Sequence, residues 1–171
     1  MDLYEAVFNR VSVRGFTGEE VGDEAVDRLL EAACRAPTAG NLQPWRFYVV
    51  RDERVKRRLE EAAWGQDFVG NAPVVVVFCA DLDVCAHGYG SRGENLYSIQ
   101  DTAAALENFL LAATSDGLGA CWVGAFSEQA ASAALGLPPG IRPLAIVPVG
   151  HPARTSSPTR REPVDKYTAR I

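Results

Sequence analysis

Residues 73–79 (PVVVVFC) constrain the fold more than any other segment of the chain. Four consecutive valines at 74–77 are stiff at χ1 and fit a pleated sheet better than a helix, and the run is too short for a buried helix. Because the run is continuously apolar rather than alternating, it predicts a strand buried on both faces and central in its sheet. Such a strand needs cover on each side, and the flanking sequence supplies helices for it.

Leu3, Ala6, Val7 and Arg10 share one helical face up to the turn at Ser12-Val13-Arg14-Gly15. Asp23 opens a second helix through Val26, Leu29, Leu30, Ala33 and Cys34, closed by Pro37. Residues 38–41 read as loop and 46–50 (RFYVV) as strand, and Asp52 caps a helix through Val55, Leu59 and Ala62. An irregular stretch at 81–93 precedes the longest helix, which carries Leu96, Ile99, Ala103, Leu106, Leu110 and Ala113 until Gly117. Residues 120–126 (ACWVGAF) read as a short strand entering a turn. Ser127 then caps a helix through Ala134, closed by Pro138-Pro139-Gly140. The last strand, 144–149 (LAIVPV), contains Pro148, which argues for an edge position or a strand end. Strands alternate with helices and no repeat or linker divides the chain, so one domain over 1–171 with helices on both faces of a sheet is expected.

Composition bears on partners more than on fold. The 171 residues carry a net charge of -5, which argues against nucleic acid and anionic membrane surfaces. The charge is uneven: residues 151–171 hold Arg154, Arg160, Arg161, Lys166 and Arg170 against Glu162 and Asp165, leaving the acidity in the body. Cys34, Cys79, Cys85 and Cys121 lack CxxC spacing and read as buried thiols. The N-terminal segment lacks a basic start with an apolar run, and no stretch approaches the ~20 apolar residues of a membrane span. A reducing, cytoplasmic setting follows as an expectation.

Residues 88–93 (GYGSRG) match GxGxxG before a helix. The nearest strand ends several residues earlier, whereas a dinucleotide fingerprint needs a tight turn directly off the strand, so a flexible loop over a site is the better reading. His87 and Cys85 with only His151 elsewhere make a poor metal set, and His87 reads as a surface residue. Without a GxSxG elbow or Walker A loop, any chemistry falls to a cofactor. Arg10, Ser12 and Arg14 can hold a phosphate, with Arg as a planar fork, but alone they read as ordinary surface groups near a turn. Residues 37–45 offer uncharged amide and hydroxyl groups, and alone read as a helix-to-strand connection.

Together these segments carry a resemblance. Arg10-x-Ser12-x-Arg14-x-Phe16, then APTAGNLQPW at 36–45, GQDFVGNAPVVVVFCAD at 65–81, YGSRGENLYSIQDTAAALENFLLAA at 89–113, GLGACWVGAF at 117–126 and an Arg-bearing tail occur in this order. The chain resembles the FMN-dependent nitroreductase family over nearly its whole length. The resemblance implies an α+β fold, a three-layer α/β/α sandwich with a central mixed sheet. It implies a homodimer with FMN at the subunit interface and a tail, 151–171, that crosses to the partner. It implies that Arg10, Ser12, Arg160 and Arg161 hold the FMN phosphate, with Val11 in the same strip. Arg14 would lie near the flavin pyrimidine, where a cation stabilises negative charge. Pro37, Thr38, Ala39, Asn41 and Gln43 would reach FMN from the other subunit. The turn of Trp122, Val123, Gly124 and Ala125 would aim the backbone N–H groups of Gly124 and Ala125 at flavin N5 and O4, making Arg14 and Gly124 the groups nearest the chemistry. Val11 and Thr159 stand where relatives carry basic or polar residues, which implies fewer phosphate contacts. The chain is short for the family, which leaves 81–97 as partial cover for the site.

The activity so implied is reduction of a small electron acceptor, such as a nitroaromatic, quinone or flavin, with NAD(P)H as co-substrate in a ping-pong cycle. A flavin-binding or redox-sensing protein without turnover, and a dehalogenating or flavin-degrading enzyme, share the same binding motifs.

Overall fold

The computed structural model describes residues 1–155 and 157–171; Ser156, inside the expected tail, lies outside the described residues. Four strands, β1 (Trp45–Val50), β2 (Val74–Asp81), β3 (Gly119–Ala120) and β4 (Ile141–Gly150), stand in the spatial order β1-β2-β4-β3 with antiparallel ladders. All the strand pairs are thus antiparallel where a mixed sheet is expected, and the parallel pairing present is an isolated bridge between Ser12 and Ala120, outside the named strands. β2 is interior, as its valines predict, and every residue from Val74 to Ala80 is buried. Its alternate side chains feed two separate cores.

On one face Val74, Val76 and Phe78 join Ala145, Val147 and Val149 under α2 (Asp23–Ala33) and α6 (Ser98–Ser115). Phe78 meets Phe47 and Phe109 edge to face, with centroids 4.9 and 5.3 Å away. On the other, Val75, Val77, Cys79 and Ile146 lie under α3 (Glu53–Ala62), α4 (Asp67–Gly70) and α7 (Glu128–Leu135). The result is an α+β, three-layer α/β/α arrangement. Asp52 accepts hydrogen bonds from the N–H groups of Arg54 and Val55, and Ser127 accepts one from Ala130, so both expected caps form.

Several expectations are corrected. α1 (Leu3–Asn9) forms and packs on α6, but only Ala6 is buried and Leu3 and Val7 are exposed, so most of its apolar stripe is uncovered among the described residues. Residues 38–41 include a 3-10 turn, Ala39–Asn41. The stretch expected to be irregular is α5 (Leu82–Arg92), broken at Tyr89 and Gly90 and followed by a π-helical turn, Gly93–Tyr97. Asp81 starts it by accepting from the Val84 N–H. α7 ends at Leu135, with Gly136 in the left-handed conformation at φ 63°, before Pro138 is reached. Cys34 is exposed, whereas the other three cysteines are buried.

Pro148 lies in an inner strand, contrary to the edge expectation. Ile146 exchanges hydrogen bonds with Val123, and the Pro148 carbonyl accepts from the Cys121 N–H. Even-numbered backbone groups of β4 therefore face β3 and the segment after it, so the missing proline N–H removes no bond to β2. Among the described residues, no helix is long and apolar enough to cross a membrane.

Candidate functional site

The first cluster grows from the chain that leaves α1. The Val13 N–H donates to the Ala120 carbonyl at 3.0 Å, and Ser12 bridges Ala120, so residues 12–13 run alongside β3. This register sets Ser12, Arg14 and Arg10 around Cys121. Burial pushes the Cys121 thiol up, while Arg14, a hydrogen bond with Ser12, and Arg10 pull it down. Arg14 also stands over the Phe68 ring, 5.8 Å from its centroid. Arg10 reaches back to Glu107 on α6 across a loose 3.7 Å contact. Val11 is half-buried and lines a neighbouring groove with Val13, Leu118 and Arg154. The arrangement is a cationic strip with a hydroxyl, able to receive an anion.

The strip continues into the turn at 122–125. Val123 is buried and fixed by its two hydrogen bonds with Ile146, whereas Trp122, Gly124 and Ala125 are exposed. The Ala125 carbonyl accepts from Gln66 Nε2, which ties the turn to the opposite layer. Beneath Trp122 is a cavity of about 80 Å³ lined by Phe78, Ile99, Thr102, Leu106 and Ala145, among others. Thr102 is 1% exposed and its hydroxyl has no hydrogen-bond partner among the described residues. A buried hydroxyl left unpaired costs about 1–3 kcal/mol, and such groups concentrate where something else is to be met.

The second cluster is the segment 37–43. Gly40, Asn41 and Gln43 have φ of 55°, 56° and 51°, a left-handed geometry that costs the two non-glycine residues roughly 1 kcal/mol or more each. Internal bonds brace it: the Gln43 N–H donates to Thr38 Oγ1, and Gln43 Nε2 donates to the carbonyl and side-chain oxygens of Asn41. The Ala39 N–H donates to Asp101 Oδ2 of α6 at 3.1 Å. Pro37 is exposed beside it. Burial pushes the Asp101 carboxyl up, opposed by the Ala39 bond. Tyr89, at the break in α5, rests its hydroxyl against Gly40, where a Cβ would lie 2.6 Å from it.

Thus one chain sets Ser12 beside Ala120 and brings Arg10 and Arg14 near Cys121, the residue before Trp122, Val123, Gly124 and Ala125, with Val11 in the neighbouring groove. It places Pro37, Thr38, Ala39, Asn41 and Gln43 elsewhere on α6. Glu107 and Asp101, the α6 contacts of the two clusters, are six residues or about 9 Å apart along the axis. Arg160 and Arg161 reach neither: both are exposed, and the Arg161 guanidinium donates only to Thr159 among the described residues. His87 is exposed, as read from sequence. Asp101 and Thr102 escaped the sequence reading, although two polar residues on the inward stripe of an apolar helix were a signal.

The model of the nitroreductase family matches residues 7–66 and 62–151. The chain is 36% identical to an NADH dehydrogenase of Thermus thermophilus over 193 aligned positions, covering 97% of this chain and 94% of the relative. It is 31% identical over 175 positions to an FMN reductase [NAD(P)H] of Bacillus subtilis, covering 95% and 70%. The structure of an NADPH:FMN oxidoreductase of Vibrio harveyi complexed with NAD+ superposes with a TM-score of 0.90 at 26% identity, covering 98% of this chain and 76% of that one.

Proposed function

The chain belongs to the nitroreductase family, and from that premise we propose that it is an FMN-dependent NAD(P)H oxidoreductase that reduces a small electron acceptor such as a nitroaromatic, quinone or flavin. The observation that carries the reading is the pairing of residues 12–13 with Ala120, which lays the Arg10-Ser12-Arg14 segment alongside the chain that leads directly into the exposed turn of Trp122, Gly124 and Ala125. FMN, when bound, supplies a flavin that takes hydride from NAD(P)H and passes electrons to the acceptor. The residues present fit it: a cationic strip for a phosphate, exposed residues at 124–125, and behind Trp122 a Thr102 hydroxyl with no partner among the described residues.

In this reading Ser12 and Arg10 hold the phosphate, with Arg10 giving up its loose contact to Glu107. Arg14 would supply a cation for negative charge on a bound flavin, and Gly124 and Ala125 would offer it their backbone N–H groups. Such a flavin would serve donor and acceptor in turn, a ping-pong cycle. The segment 37–43 and the tail complete the site of a second copy. The uncovered apolar side chains of Leu3, Tyr4 and Phe8 on α1, and of Val164 and Tyr167 in the tail, support such a homodimer. Arg160 and Arg161, unengaged by the body of their own chain among the described residues, would then reach the partner's phosphate group. Four free thiols agree with a reducing cytoplasm.

Replacing Arg14 and Arg10 separately by Ala tests the division of roles. FMN titration should show the larger loss of affinity for R10A, and stopped-flow reduction the larger loss of rate for R14A. Equal loss of binding and turnover in R14A, with no change in flavin potential, would overturn its assignment.

A further inference from the structure

An acidic side chain inside a helix-covered core demands a reason, because a carboxylate is rarely buried without a counter-charge. Asp101 is 7% exposed, and none of the ion pairs among the described residues includes it. Its hydrogen bond is to the Ala39 N–H, 62 positions away in sequence. That N–H opens the turn in which Gly40, Asn41 and Gln43 hold left-handed geometry.

Strained backbone of this kind persists only where its surroundings over-determine it. The other bonds that shape the turn are internal to it: Asn41 to Thr38, Leu42 to Ala39, Gln43 to Thr38 and to Asn41. They set its shape but not its place on the protein. Asp101 ties it to α6, the helix whose next residue, Thr102, lines the cavity under Trp122.

We propose that Asp101 is a positioning residue for the cofactor: its carboxylate holds the Ala39 N–H and thereby fixes the strained, internally braced 37–43 turn in its binding place on α6 before FMN arrives. This rests on the reading that 37–43 meets FMN. Asp101 does not touch the cofactor; it acts through the backbone of Ala39. A turn left without this tie would have to be ordered by FMN itself, and that ordering would be subtracted from affinity.

Hydrogen exchange of the Ala39 amide, followed by NMR on the full-length apo protein, reads the tie without FMN or turnover. The expected result is exchange about 100-fold or more slower than in an unstructured chain. An Ala39 amide that exchanges at the free rate in the apo protein would overturn the inference, whatever the variants do. Fluorescence titration with FMN then compares wild type with Asp101→Val, which removes the acceptor, and Asp101→Asn, which keeps an oxygen that can accept. Asp101→Val should raise the FMN dissociation constant about tenfold and release the Ala39 amide, and Asp101→Asn should restore much of both. Equal FMN affinity in wild type and Asp101→Val would overturn the positioning role alone. Failure of the wild-type protein to bind FMN would overturn the cofactor reading and this inference with it.

Discussion

Gly40→Ala probes the strained turn where its geometry is most demanding. Gly40 sits at φ 55°, and a Cβ there would lie 2.6 Å from the Tyr89 hydroxyl and 3.3 Å from its ring. Left-handed geometry costs an L-residue roughly 1–2 kcal/mol. Moving the half-exposed Tyr89 ring adds about 1 kcal/mol, the low end for overpacking, because the neighbour is a movable side chain. The reduced entropy of unfolded alanine returns about 0.4–1 kcal/mol. The net loss is about 1–2.6 kcal/mol, or a fall in Tm of roughly 2–10 °C for a chain of this size. Urea unfolding followed by circular dichroism measures it. Tyr89→Phe removes the colliding oxygen, so a double-mutant cycle should recover about half of the loss and leave the backbone part. A Gly40→Ala protein within 0.5 kcal/mol of wild type, or a cycle with no coupling, would refute the packing of α5 on this turn.

Thr102→Val should stabilise the apo protein by about 1 kcal/mol in urea unfolding, since it removes, at nearly constant volume, a buried hydroxyl with no partner among the described residues; a loss of stability would mean the hydroxyl is satisfied. Arg142 donates through Nε and Nη2 to Glu128 at 2.9 and 2.8 Å, and these bonds hold the Glu128 carboxyl below the usual carboxylate range. The pair's contribution, under about 1 kcal/mol at its partial exposure, is therefore full above the ordinary carboxylate value and disappears as pH falls through the depressed one. Glu128→Gln should flatten that part of the acid unfolding curve, and an unchanged curve would deny the pairing.

The order of layers was legible because the valine run of β2 admits one environment, and because Asp52 and Ser127 stand where helices need an acceptor. α5 was not legible. Its sequence, LDVCAHGYGSR, buries only Cys85 and contains two glycines, so no apolar stripe announces it; contacts of Gly88 with Leu42 and of Tyr89 with Gly40 support it instead. Pro148 misled because its strand's neighbour on the proline side is only two residues long, which sequence does not reveal. The cationic strip was legible as residues but not as a place, since the pairing of Ser12 with Ala120 spans more than a hundred positions. The Asp101 contact with Ala39 is non-local in the same way. What local pattern did carry was the inward stripe of α6, and Ser98, Asp101 and Thr102 are the buried positions where polarity interrupts it.

The central claim is that the strip at 10–14 and the turn at 122–125 hold a flavin that NAD(P)H reduces. Anaerobic mixing of the FMN-reconstituted protein with NADH and, separately, NADPH, followed at the absorbance band of oxidised flavin, tests it most directly. Rapid bleaching by at least one nucleotide is the predicted result. Retained flavin that stays oxidised with both would contradict it and leave a flavin-binding protein without this activity.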